Sequence, residues 1–86
     1  MWLMDQTRML MLNTDNVLYM NIEKRTFSIY AALKLEGEGP KKISLGTYSS
    51  IDECKRIMNY ILEHSGEKGF YEVMPLGGEV DKWLSV

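Results

Sequence analysis

His64 and Cys54 are the only histidine and the only cysteine of this chain, and each needs a partner before it can do chemistry. A histidine base needs a nucleophile to activate, and none stands near His64 in a recognised pattern. At the end of a helical stretch, its expected role is a cation at, or a cap to, the last carbonyls. Cys54 falls on the apolar side of the same stretch, where a buried, inert thiol is expected. One cysteine also excludes an internal disulfide framework and any multi-cysteine metal site. Asp52, Glu53 and Glu63 suit a helix start and a solvated face. The remaining carboxylates are scattered rather than converging as metal ligands would. Gly37 and Gly39 precede no helix and so match no phosphate-binding fingerprint. No catalytic, cofactor or metal residue is assigned, and a small enzyme is the disfavoured reading.

The elements that position these residues are easier to read. Ser50 and Glu53 form the pattern of a capping box. After it Cys54, Ile57, Met58, Ile61 and Leu62 recur at helical spacing, predicting one amphipathic helix that Gly66 stops. Ahead of it the chain reads as strands. Trp2–Met4 and Met9–Leu12 flank the polar Asp5–Arg8, a hairpin length. Asn13–Asn16 is a cluster of turn formers, and Val17–Ile22 follows as a strand. Glu23–Arg25 is a charged turn. From Thr26 to Leu35, Phe27, Ile29, Ala31, Leu33 and Leu35 alternate with Ser28, Tyr30, Ala32 and Lys34, the clearest half-buried strand. Residues 36 to 40 connect it to its hairpin partner, Lys41–Tyr48. Phe70–Met74 reads as a short strand ended by Pro75, and Gly77-Gly78 as a break. Glu79–Val86 fits a turn or two of helix, or a strand.

Together these predict one α+β domain, an antiparallel sheet of about four strands on one amphipathic helix. Residues 1 to 66 make the sheet and helix; residues 67 to 86 are a C-terminal extension of the same domain. Eighty-six residues suffice for a single modest core. A net charge of -2 carries no basic stripe, which argues against a nucleic-acid partner. No segment reads as a secretion signal or membrane span, so a cytoplasmic protein is expected.

The segments Trp2-Leu3-Met4-Asp5-Gln6, Leu12-Asn13-Thr14-Asp15-Asn16-Val17, Leu45-Gly46-Thr47-Tyr48-Ser49-Ser50 and Tyr71-Glu72-Val73-Met74-Pro75 resemble a group of small uncharacterised proteins of Gram-positive bacteria and their phages. The resemblance implies a shared fold and a mobile-element origin, and it carries over no catalytic residue. Gly77 to Val86 depart from that pattern.

Aromatic side chains are the remaining candidates for function. Tyr19, Tyr30 and Tyr48 are expected to line an open sheet face, and Phe70, Tyr71 and Trp83 lie in the tail. Exposed aromatics mark interfaces and ligand walls, whereas folding back over the sheet would make them core. Seven methionines suit adaptable packing or a plastic binding surface. The expectation is a non-catalytic binding module, a homo-oligomer or partner binder. The resemblance gives that expectation one concrete form, a phage protein that blocks a host factor. An alternative is a sponge holding a small nucleotide-like ligand between subunits.

Overall fold

A computed structural model describes residues 1–34, 37 and 39–85. Among the described residues six strands and two α-helices follow in order: β1 (Trp2–Met4), β2 (Met11–Asn13), β3 (Val17–Glu23), β4 (Ser28–Leu33), β5 (Lys41–Thr47), α1 (Ile51–His64), β6 (Tyr71–Val73) and α2 (Val80–Leu84). The α+β class is as expected, but the strands form two three-stranded sheets rather than one of about four. One has the order β3-β4-β5 and is antiparallel; the other has the order β2-β1-β6, with β6 parallel to β1. No helix among the described residues is long and apolar enough to cross a membrane.

Helix α1 starts where the capping pattern places it. Ser50 Oγ accepts from the Glu53 N–H at 3.1 Å. The return arm differs from a reciprocal box, because Glu53 Oε1 accepts from the N–H of Ser49, at 2.9 Å, and from its hydroxyl. Cys54, Ile57 and Ile61 are buried and Met58 partly so, whereas Leu62 sits out of the core at 73 % exposure. Each buried isoleucine contributes about 1.5–3 kcal/mol relative to an exposed one. The helix does not end on a left-handed Gly66. Its cap is Ser65 in right-handed geometry; Ser65 Oγ donates to the Leu62 carbonyl and the Glu67 N–H to that of His64. The positive φ falls later, at Gly69.

The first hairpin is shorter than the sequence suggests. Met9 and Leu10 belong to its loop because the buried Asp5 carboxylate accepts both of their N–H groups at 3.0 Å, and the Thr7 hydroxyl as well. With their N–H groups satisfied there, the two residues stay out of β2, and only the Leu10 carbonyl pairs across the hairpin, accepting from the Asp5 N–H at 2.9 Å. Strand β4 begins at Ser28 rather than Thr26, since Phe27 takes φ 53° to close the turn from β3. Leu35 lies outside the described residues. Ile29 and Ala31 are fully buried, as the alternation requires.

Sheet β3-β4-β5 is not extended by β1 because Gln6 and the loop that follows it take that place. The Gln6 N–H donates to the Leu45 carbonyl at 2.7 Å. Its side chain then imitates a strand edge: Oε1 accepts from the Thr47 N–H and Nε2 donates to the Thr47 carbonyl, at 3.0 and 3.1 Å. The same Nε2 reaches the Pro75 carbonyl at 3.1 Å. One amide side chain thus ties β5, the end of β1 and the segment after β6.

The tail is part of this construction. Strand β6 docks beside β1, and the Met74 N–H continues the pairing to Met4 at 2.9 Å. Met74 and Val80 are buried. Gly77–Glu79 forms a single 3-10 turn, and the ambiguous terminal segment is helical.

Candidate functional site: aromatic and apolar surfaces

The titratable candidates hold structure in place. Cys54 is fully buried and its Sγ donates to the Phe27 carbonyl at 3.2 Å. Burial first, then the neighbouring Glu53, pushes its pKa up, so the thiolate is disfavoured. The His64 ring stacks on Phe70 at 4.6 Å and 4° and places Nδ1 3.1 Å from Glu67 Oε1. It stands in the last turn of α1 as expected, but its partners are rings and a carboxylate rather than the terminal carbonyls. Among the described residues no three of His, Cys, Asp or Glu converge as metal ligands would.

The six aromatic candidates divide among four places. Tyr48 is inside the protein, against the expectation that it lines an open face. Its ring folds over Gly46, where an added Cβ would stand 2.7 Å from the hydroxyl oxygen. That hydroxyl donates to the Pro75 carbonyl at 2.9 Å. Burial, with lesser contributions from Cys54 and Glu53, pushes the phenol pKa far up. The missing side chain at Gly46 is what lets the ring turn inward.

Phe70 and Trp83 belong to a ladder of four rings. Trp83 packs on Tyr60 at 4.3 Å, Tyr60 on His64 at 4.5 Å, and His64 on Phe70. Trp83 Nε1 also donates to the Val73 carbonyl at 2.9 Å, capping the outer edge of β6. These rings clamp the tail to α1. Burial, then Glu72 and Glu67, raises the Tyr60 pKa. Tyr60 and His64, four residues apart on one helix face, complete a ladder that the strand-based reading of the aromatics did not assemble.

Tyr71 lies elsewhere, on the outer face of sheet β2-β1-β6. Register places Trp2 between Asn13 and Tyr71, and Met4 between Met11 and Val73. Leu3 and Leu12 point the opposite way into the core. Trp2, Met11 and Tyr71 are 42 %, 44 % and 47 % exposed, and the Tyr71 hydroxyl reaches Met4 Sδ at 3.7 Å. Sequence reasoning did not single out Trp2, Met4 or Met11. Their signal is that β1 and β2 are apolar on both faces, where a half-solvated strand would alternate with polar residues.

Tyr19 and Tyr30 stand on the outer face of β3-β4-β5, flanking the buried Ala32 and the half-buried Asn21 by register. Asn21 Oδ1 is a buried acceptor with no hydrogen-bond partner among the described residues. Tyr19 also borders a groove of about 330 Å³ between β3 and α1, with Val17, Met20, Met58 and Leu62 as apolar walls. Thr14, Asn59 and Ser65 supply its polar groups, and no lysine or arginine among the described residues lines it.

Comparison of the chain with protein-family models, with curated proteins and with solved structures gives no match. The surfaces themselves are therefore what bears on function.

Proposed function

We propose that this chain is a small non-catalytic binding module that docks a protein partner on the outer face of sheet β2-β1-β6. The observation that carries the reading is the Trp2, Met4, Met11, Tyr71 surface. Trp, Tyr and Met are enriched in interface cores, and binding energy concentrates in a few such anchors. A solvent-facing sheet surface suits a protein partner better than a small ligand, which prefers a concave pocket. Blockade of a host factor is one form of this activity. The nucleotide sponge is disfavoured because, among the described residues, no lysine or arginine lines the groove beside β3 to hold a phosphate.

The test compares the wild-type chain with the Trp2→Ser/Tyr71→Ser variant, both tagged and purified from the native host. A protein that copurifies with wild type, binds it again when purified, and loses more than about tenfold in affinity for the variant supports the reading. The same partner bound equally by a variant with unchanged melting temperature refutes it.

A further inference from the structure

The protein guards its sheet edges unevenly. Strand β5 is closed at one end by Gln6 and carries Lys41 and Lys42 at the other. Strand β6 is capped by Trp83. Edge strand β2 is only three residues long. Strand β3 is seven residues long and, from Val17 to Ile22, has neither charge nor proline. Its one irregularity lies between Val17 and Tyr19, leaving Tyr19–Glu23 in regular register with β4. Among the described residues, the backbone of Leu18–Glu23 makes no hydrogen bond beyond that ladder. Long, apolar, unguarded edges are templates for another strand.

We infer that β3 is the interface through which two copies of this chain pair, antiparallel and about a two-fold axis at Met20, making one six-stranded sheet. A strand is the occupant that supplies backbone groups along such an edge. Self-complementarity favours a second copy. With Met20 opposite its own equivalent, Leu18 faces Ile22 of the other copy and Tyr19 faces Asn21. Beyond the strand ends, the turn carrying Asp15 comes beside the copy's hairpin carrying Lys24 and Arg25. Both turns are exposed, and the symmetry makes this opposite-charge pairing twice. An axis normal to the sheet keeps both α1 helices on one face. The two grooves then open toward each other, and the exposed Leu62 gains a counterpart beside Met58. Leu18, Tyr19 and Leu62, at 52 %, 46 % and 73 % exposure, are withdrawn from water by one contact. The partner-docking face proposed above belongs to the other sheet and takes no part.

Sedimentation equilibrium tests this on the whole 86-residue chain. The expected result is a concentration-dependent mass rising from 10.0 kDa toward twice that value. Leu18→Lys and Leu62→Glu change side chains exposed in the single chain, so both should keep the melting profile of the dissociated protein while weakening dimerisation by more than about tenfold. Asp15→Arg and Arg25→Asp should each weaken it, and the double exchange should restore it, because the opposed charges are again unlike. A chain that stays monomeric to about 0.2 mM, weaker than the range of stable interfaces, overturns the inference. So does a dimer indifferent to Leu18→Lys and Leu62→Glu, or one dissolved by Trp2→Ser instead. A double exchange no better than either single one overturns the antiparallel register.

Discussion

Replacing Gln6 tests whether one side chain couples the two sheets. Gln6→Ala removes three side-chain hydrogen bonds: two that complete the edge of β5 at Thr47, and one that reaches Pro75. A net bond contributes about 0.5–1.5 kcal/mol, with the lower end applying where water can replace the lost partner. Both bonds to Thr47 are solvent-exposed, whereas the bond to Pro75 is part-buried. The expected destabilisation is therefore about 1–3 kcal/mol. For a domain of this size, each kcal/mol lowers Tm by about 4–8 °C. The backbone bond from Gln6 to Leu45 survives the substitution, so the fold should be retained.

Gln6→Glu separates bonding from mere packing, because the shape is kept while the Nε2 donor becomes an acceptor facing two carbonyls. At pH 7 it should cost about 1 kcal/mol more than Gln6→Ala, the scale of a polar group left without its partner. The introduced carboxyl is disfavoured in its charged form by the fold, so its folded pKa lies above its unfolded value. The extra cost is complete above the folded pKa and shrinks as pH falls through it. Urea denaturation followed by circular dichroism, at pH 7 and at pH 4.5, measures both effects. Native-state hydrogen exchange adds a spatial readout: amides of β1 and β6 should lose protection before those of β3 and β4. A Gln6→Ala variant within about 0.3 kcal/mol of wild type, below the weakest bond counted, refutes the coupling. So does a Gln6→Glu variant that matches Gln6→Ala at both pH values.

Other perturbations test neighbouring parts of the reasoning. Burial of Asp5 works against its charge, but bonds from Thr7, Leu10 and Met9 outweigh that and hold its pKa below the ordinary 3.8. Its contribution to stability is thus complete above that value and lost as pH falls through the lower folded pKa; Asp5→Asn should flatten this acid limb in urea titrations. Ser50→Ala should cost about 0.5–2 kcal/mol by removing the acceptor for the Glu53 N–H, read as a lower denaturation midpoint. Cys54 should react with a thiol reagent in denaturant and scarcely at all in the native state, and rapid native labelling would contradict its burial. Trp83→Ala should cost about 3–5 kcal/mol of stability, since it removes both the contact with Tyr60 and the cap on Val73. A variant that melts like wild type would return Trp83 to the surface.

The legible parts of this fold are those whose evidence is local. Helix α1 carries its cap, its period and its acidic first turn within fifteen residues of sequence, and β4 carries its alternation. Leu62 shows the limit of that reasoning. It completes the apolar period, but the face it occupies looks past the edge of β3, where the sheet stops. Period assigns a side chain to a face; only the width of the opposing layer decides whether that face is covered.

The division into two sheets depends on groups far apart in the chain. Gln6 meets Thr47 and Pro75, and β6 meets β1, across separations for which neither residue carries a local mark. Glutamine is a commonplace surface residue, and nothing in its neighbours announces that its amide will stand in for a strand. Tyr48 turns inward for a reason equally hard to read locally: Gly46, two residues back on the same strand face, reads as a weak strand residue but is the space its ring fills. The same physics links the candidate surfaces. A strand apolar on both faces must have something on each. In β4 the second face is covered, with Ser28 and Ala32 buried, while in β1 and β2 Trp2 and Met11 stay exposed among the described residues. The apolar side chains along the open edge of β3 are likewise left half in water. Burial that a single copy leaves incomplete at two separate places is the physical ground for assigning one to a partner and the other to a second copy.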